Sequence, residues 1–396
     1  MKQCWRWFGP ADTVNLPDLH HVGVQGIVTA LHHKQPGQVW PLNDIRERIS
    51  LLEAESFTWD VVESLPVSED IKTKGRNYAE HVQAYCTSLE NLAAAGIRTV
   101  CYNFMPILDW TRTELRAPQS HGGTAMQFRL LQFAAFDLFI LKRPDANESY
   151  SQAQYSAAAK IFSRLNDRER KSLQSNIVAG LPGANDNWTV EDVRAHLDLY
   201  KDTDTTVLRQ NLIDFLAQVV PTAERLGIRL CCHPDDPPFS LLGLPRIMSS
   251  TDDYAYIVEQ INTPANGITF CTGSLGVSGD FNPVDFIERL GPRIHFVHLR
   301  NTKRLSGGDP ERPDFFEAAH LEGDTDMVAT IKALMAEESR RRKQGREDWQ
   351  IPMRPDHGQE LLSDLSNDSM PGYPLIGRMR GLAELRGIMA AFDRNT

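Results

Sequence analysis

A short apolar run that stops at a metal-binding side chain occurs four times in this chain, and it restricts the fold more than any other feature. Ile351-Pro352-Met353-Arg354-Pro355-Asp356-His357-Gly358 passes from an apolar start into a carboxylate, an imidazole and a glycine. Arg229-Leu230-Cys231-Cys232-His233-Pro234 ends at His233, Ile268-Thr269-Phe270-Cys271-Thr272-Gly273 near Cys271, and Ile294-His295-Phe296-Val297-His298-Leu299-Arg300 at His298 and Arg300. Runs of this kind, bounded by turn residues, are what buried parallel strands look like in sequence. If they are parallel neighbours in one barrel, their carboxyl ends share a face, which is where barrel enzymes place their chemistry. Two imidazoles, a thiol and a carboxylate then converge on one point.

The rest of the chain supplies the other strands. Candidates lie at Cys4–Phe8, Gly23–Leu31, Thr58–Ser64 and Arg98–Phe104, separated by helical patterns over Leu42–Ser56 and Tyr78–Ala95, the latter stopped by Gly96. Strand-then-helix alternation is the signature of parallel βα units. The rhythm lapses from Pro106 to Thr222, where helical segments and loops dominate. Phe128–Leu141 reads as an apolar helix or short strand, Ser151–Arg164 and Val190–Tyr200 as surface helices, and Ile177–Gly183 is ambiguous. After Asn211–Leu226, closed by Gly227, four strands resume near Ile228–His233, Ile268–Cys271, Ile294–Leu299 and Gln350–Arg354, with helices near Thr251–Asn262, Pro283–Leu290 and Thr325–Glu338. Four strands on each side of the gap make the eight that close a (β/α)8 TIM barrel. The expectation is one domain over residues 1–396, with 106–222 as a mostly helical insertion after strand 4. Loops that follow barrel strands lie on the catalytic face, so the insertion is expected to cap the site.

Bulk properties exclude several function classes. The 396 residues carry a net charge of −10, with no basic stripe of the kind nucleic acid requires. Arg340-Arg341-Arg342-Lys343 stands beside Glu337 and Glu338 and reads as a solvated helix face. No stretch approaches the roughly 20 apolar residues of a membrane span, and the start of the chain has no apolar signal core. The six cysteines follow no zinc-finger or CxxC spacing. A reduced, cytoplasmic setting fits them. Oligomeric state is open, and a homo-oligomer is compatible with everything above.

Taken singly, His233 and His298 read most simply as satisfied histidines, Cys271 as inert core and Asp356 as a cap. Their shared position at strand ends favours a metal site. The carboxylate suits Mn²⁺, and the thiolate suits Fe²⁺, Co²⁺ or Zn²⁺. His295 and His298 are three residues apart and cannot share a strand face, so His298 is assigned inward. His357, directly after Asp356, is a candidate acid or base. Arg300 emerges on the face of His298 and suits a substrate carboxylate. Asn103 ends the fourth strand, and Trp110 and Arg112 follow as candidate walls and clamps. Asp235-Asp236, after His233-Pro234, are candidates to orient a ligand or substrate hydroxyls, or else form a proline-flanked turn. Tyr373, in Pro371-Gly372-Tyr373-Pro374, reads by itself as turn packing.

At these residues the chain closely resembles the D-mannonate dehydratase family along its whole length. The stretches that carry the resemblance are Trp5-Arg6-Trp7-Phe8-Gly9-Pro10, Gly26–His33, Val100–Pro106 with Leu108–Thr113, His233–Pro238, Cys271-Thr272-Gly273-Ser274 and Arg354–Gly358. It implies a barrel of the xylose-isomerase-like type and a Mn²⁺- or Fe²⁺-dependent removal of water from D-mannonate, giving 2-dehydro-3-deoxy-D-gluconate in hexuronate (glucuronate) catabolism. It places metal ligands on His233, Cys271, His298 and Asp356, and proton-transfer roles on His357 and Tyr373. One departure is Phe8, where a tyrosine is expected. The alternatives are a metal-dependent sugar isomerase on the same barrel, separable by whether water is lost, and a non-catalytic sugar-acid sensor, which would bind mannonate without converting it.

Overall fold

The computed structural model describes residues 1–180 and 188–393. Twelve strands occur in it: β1 (Lys2–Arg6), β2 (Gly26–Thr29), β3 (Trp59–Glu63), β4 (Thr99–Tyr102), β5 (Glu114–Pro118), β6 (Thr124–Phe128), β7 (Arg229–Cys232), β8 (Asn266–Cys271), β9 (Ile294–His298), β10 (Asn301–Arg304), β11 (Phe315–Ala318) and β12 (Pro352–Arg354). Eight of them close a barrel in the order β1-β12-β9-β8-β7-β4-β3-β2, and every adjacent pair is parallel. The strands expected from sequence are all present, with their ends shifted by a few residues: most are shorter, β1 begins two residues earlier and β8 is two residues longer.

Alternation along each strand divides the side chains between two cores. Trp5, Ile27, Val62, Val100, Leu230, Ile268 and Val297 join the large core under the helices. Cys4, Val28, Val61, Cys101, Cys231 and Phe296 form a small cluster of their own inside the barrel. Two residues beyond this inner layer, on the same face, stand Arg6, Glu63, Asn103, His233 and His298. This period of two is what delivers polar groups to the carboxyl end.

The interval after β4 differs from the expectation in three ways. First, it contains a β-hairpin: β5 pairs with β6, and β6 with β11, giving an antiparallel sheet of order β10-β11-β6-β5 beside the barrel. Second, the helix Thr205–Leu226, capped by Asp204 at one end and Gly227 at φ +65° at the other, packs on the ring helix Tyr78–Ala94 and on β7. It is a helix of the barrel's own ring, so the inserted part closes before residue 205. Third, Phe128–Leu141 splits into the α-helix Leu130–Ala135 and one π-helical turn over Phe136–Leu141. Of Ile177–Gly183, the first residues end the helix Asp167–Val178, and the later ones lie outside the described residues.

Two further readings change. Arg341 is buried, bonding to Glu337 Oε1 at 2.7 Å and to the carbonyl of Ile294 at 2.8 Å, so the basic run is not uniformly a solvated face. The helix Leu375–Asp393 has no counterpart in the sequence reading. Its glycines explain why the pattern is faint: a Cβ at Gly377 would fall 1.8 Å from the Gln359 carbonyl oxygen, and one at Gly381 within 2.1 Å of the His320 ring. They let the helix press against the turn after β12.

Candidate active site and metal centre

β7, β8 and β9 end side by side, and their terminal polar side chains face one another. The Nε2 of His233 lies 3.1 Å from Nδ1 of His298. The candidate ligand atoms of His233, Cys271 and His298 all fall within 4.8 Å of one another. Asp356 joins them from the turn after β12, its Oδ2 3.8 Å from Cys271 Sγ and 3.8 Å from His298 Nδ1. Asp356 adopts φ +61°, a left-handed conformation that L-residues enter at a cost of about 1–2 kcal/mol and that Asp tolerates better than most. Cys271 Sγ accepts from Ser274 N at 3.4 Å and Ser274 Oγ at 3.3 Å, donors suited to a thiolate.

This donor set fits a divalent transition ion. Bonds of about 2.0–2.3 Å from nitrogen, oxygen and sulfur to one ion put neighbouring ligand atoms roughly 3–4 Å apart, and the His233–His298, Cys271–Asp356 and His298–Asp356 pairs, at 3.1, 3.8 and 3.8 Å, lie in that range. His233 Nε2 and His298 Nδ1 face each other, while His298 Nε2, on the other side of its ring, lies 3.5 Å from Glu63 Oε1. Burial pushes the His233 imidazole below its ordinary range, which favours the neutral, ligating form.

A web of alternating charges surrounds this centre. Glu63 takes Arg354 Nε at 2.8 Å and Arg6 Nη1 at 3.1 Å. Arg354 Nη1 also bonds Asp356 Oδ1. Arg300 spans Asp356 Oδ2 at 3.2 Å, Asp236 Oδ2 at 2.7 Å and Glu317 Oε2 at 3.2 Å. Arg112 completes the circuit to Asp236 at 2.8 Å and Glu317 at 2.6 Å. Every member is buried. Burial opposes ionisation of Asp356, but Arg354, His357, His298 and Arg300 outweigh it and hold the carboxyl well below the usual range. The same contest, decided by Arg354 and Arg6, holds Glu63 down. Arg300 and Arg112 hold Glu317 at about 2.

The cavity above is lined by Arg6, Glu63, Ser64, Asn103, Asp109, Trp110, His233, Asp236, Arg300, Arg354, Asp356, His357 and Tyr373. His357 has Nδ1 3.3 Å from Arg300 Nη1 and Nε2 3.7 Å from Asp356 Oδ1. Burial lowers its pKa. Tyr373 is buried, not a surface turn residue. Its ring stands edge-on to His357 at 5.0 Å, and its hydroxyl accepts from Arg6 Nη1 at 3.1 Å. Burial raises its pKa. Trp110 meets His357 edge-on at 6.2 Å. Phe8 packs edge-on to Tyr373 at 4.8 Å, so this departure from the expected tyrosine touches the cavity wall.

Two expected residues, Arg112 and Asp235, take other places. Arg112 lies behind the wall, stacked on Trp110 and Phe315 with its nitrogens on protein acceptors. Asp235 turns away to the Met248 amide and Ser249 hydroxyl, each at 2.8 Å, and its neighbour Asp236 faces the cavity instead. Arg300 reaches the cavity, but each of its nitrogens faces a protein carboxylate. His295 points elsewhere, with Nε2 2.9 Å from the Pro264 carbonyl oxygen.

Sequence reasoning missed Arg6, Glu63, Arg354 and Glu317. The first two were within its reach, because each stands two positions beyond an inward apolar residue, as His298 stands beyond Phe296. Glu317 was not, since it comes from the added sheet.

These assembled elements can be set beside known proteins. The family described as D-mannonate dehydratase (UxuA) matches residues 1–396. A mannonate dehydratase of Rhizobium meliloti (strain 1021) is 51% identical over 396 residues, covering 100% of this chain and 98% of the relative. This chain belongs to the D-mannonate dehydratase family. The crystal structure of mannonate dehydratase from Streptococcus suis serotype2 superimposes with a TM-score of 0.76 at 31% identity, covering 100% of this chain and 94% of that one. A xylose isomerase domain protein from Planctomyces limnophilus, at 11% identity and a TM-score of 0.50, covering 99% and 97%, shares the fold alone. Membership in the D-mannonate dehydratase family thus agrees with a barrel whose strand ends carry a metal-type donor set.

Proposed function

We propose that this chain removes water from D-mannonate to give 2-dehydro-3-deoxy-D-gluconate, with Mn²⁺ or Fe²⁺ held by His233, Cys271, His298 and Asp356. The observation that carries the reading is the convergence of these four donors beside a buried imidazole and a buried phenol, in a chain that matches the dehydratase family from end to end. A divalent cation bound there supplies Lewis acidity to the oxygens next to the reacting carbons, where charge builds up as C2 loses its proton.

The chain's own groups then divide the proton transfers. His357 is buried, which favours the neutral form, and its unprotonated ring nitrogen is the acceptor for the C2 proton. Tyr373 is buried with its phenol protonated and donates to the departing C3 hydroxyl, which leaves as water. The resulting enol becomes the ketone. Arg6, already bonded to the Tyr373 hydroxyl, stabilises the phenolate that remains. Arg300 keeps Asp356 and His357 in register. Asn103 and Trp110 form the wall that the sugar chain meets, and Arg112 and Asp235 support that wall from behind.

The segment from Pro106 through the hairpin is read as a cap because Asp109 and Trp110 line the cavity, and β6 pairs with β11 in the sheet beside the barrel. No described helix is long and apolar enough to cross a membrane. The six cysteines are free thiols, in keeping with a cytoplasmic place in hexuronate breakdown.

The deciding experiment is turnover of D-mannonate by metal-depleted and metal-reconstituted protein, read as 2-keto acid formation. Chelation should abolish activity, and Mn²⁺ or Fe²⁺ should restore it. Full activity without metal, or an isomerised product with no loss of water, overturns the reading.

A further inference from the structure

We infer that Arg6, at the end of the first barrel strand, is the residue that grips the substrate's carboxylate and sets the preference for a sugar acid over a neutral sugar. This rests on the proposed sugar-acid substrate and adds the group that recognises it.

The argument is an account of guanidinium donors. Three arginines line the cavity: Arg6, Arg300 and Arg354. Arg354 commits Nε and Nη2 to Glu63 and Nη1 to Asp356. Arg300 commits Nη2 to Asp236 and Nη1 to Asp356, while its Nε, 3.2 Å from Glu317 Oε2, forms an ion pair without a hydrogen bond, so only a single nitrogen of its side-on edge is open. Neither has a fork left for a ligand without breaking a buried ion pair. Arg6 differs. Its Nη1 serves both Glu63 Oε1 and the Tyr373 hydroxyl, each at 3.1 Å. Its Nε is buried without a partner, and Nη2 donates to no described residue. These two nitrogens form the side-on edge of the guanidinium, the edge that takes a carboxylate with two parallel bonds.

Position supports the assignment. Arg6 stands two residues past Cys4 of the barrel interior and so points along the inner face to the catalytic end. Its guanidinium is stacked 4.9 Å from the Phe8 ring and 5.4 Å from the Tyr373 ring, which fixes its plane. Glu63 bridges it to the metal set, with Oε1 3.5 Å from His298 Nε2. One carboxylate therefore reaches the Arg6 fork while its neighbouring carbons lie near Tyr373. An unused charged donor pair in a buried site carries a desolvation cost that an anionic ligand relieves.

The test compares D-mannonate with its neutral amide, D-mannonamide, in the metal-loaded wild type, Arg6→Gln and Arg6→Lys, with metal content measured in each. A charge-assisted bidentate contact is worth roughly 10–100-fold in affinity. In Arg6→Gln the KM for mannonate should rise by that factor, while the inhibition constant of mannonamide changes only about two- to three-fold. Arg6→Lys, which keeps the charge but loses the fork, should fall between. Equal weakening for acid and amide overturns the inference, as does loss of metal in Arg6→Gln, which would make Arg6 a support for Glu63. If Arg6→Gln does not fold, an unchanged acid-to-amide ratio in Arg6→Lys overturns it by itself. A wild type that binds mannonate without converting it counts against the dehydratase reading, yet calorimetric binding of acid and amide to the same variants still tests Arg6.

Discussion

The ends of the barrel strands and the four-stranded sheet beside them deliver charged groups to the same cavity by different physical means. The strand ends carry His233, Cys271, His298, Glu63 and Arg6 on a closed parallel barrel, where register and alternation fix the direction of each side chain. The added sheet carries Glu317 on β11, which pairs with β6 from far earlier in the chain. Its geometry exists only once two distant loops have met. The barrel, on this view, makes the chemistry, and the sheet tunes it, holding Arg112 and Arg300 so that Asp236, Asp356 and His357 keep their positions.

Substitutions can break that division, beginning with the largest effect. Asp356→Asn and Cys271→Ser should each lower metal content at limiting metal and turnover with it, measured by elemental analysis beside a keto-acid assay. His357→Asn should keep the metal and lose about 10²–10⁴-fold in kcat with little change in KM, because asparagine cannot exchange a proton near neutral pH. If it loses the metal as badly as Asp356→Asn, His357 is a ligand or a support and the assignment fails.

Glu317→Gln probes the other region. It leaves Arg112 and Arg300 short of a buried partner, so the expected cost is roughly 3 kcal/mol in stability by chemical denaturation, with the metal retained. A variant as stable as the wild type, but unable to bind metal, would reverse the proposed roles.

Acid should expose the same carboxylate more gently. Glu317 ionises at about 2 in the folded chain against 4.5 ordinarily. The stability it contributes is complete above pH 4.5 and is lost as pH falls towards 2. Unfolding followed over that window should be steeper in the wild type than in Glu317→Gln, and equal slopes would remove the carboxylate from the account.

The smallest effect belongs to Cys232→Ser. Cys232 is the neighbour of His233 on the opposite strand face, buried in the core under the helices. It should lose at most about 1–2 kcal/mol of stability and keep its metal. Metal loss equal to that of Cys271→Ser would mean that the strand faces are assigned wrongly.

By itself the sequence determined the barrel and which polar residues, His233, Cys271 and His298, close three of its strands, because both follow from local geometry. An apolar run of four or five residues predicts a buried strand, and a period of two predicts the side on which its last polar residue emerges. The same rule, carried through, reaches Arg6 and Glu63 as well. Tertiary structure alone decided which carboxylate of Asp235-Asp236 meets the cavity, that Tyr373 in its proline-flanked turn is buried against His357, and that Arg300 is consumed by Asp236, Glu317 and Asp356 while Arg6 keeps a free edge. Turns have no fixed period to read. Whether an arginine's donors are used depends on carboxylates brought from strands far apart in the chain, and only the closed barrel and its added sheet put those charges within bonding distance.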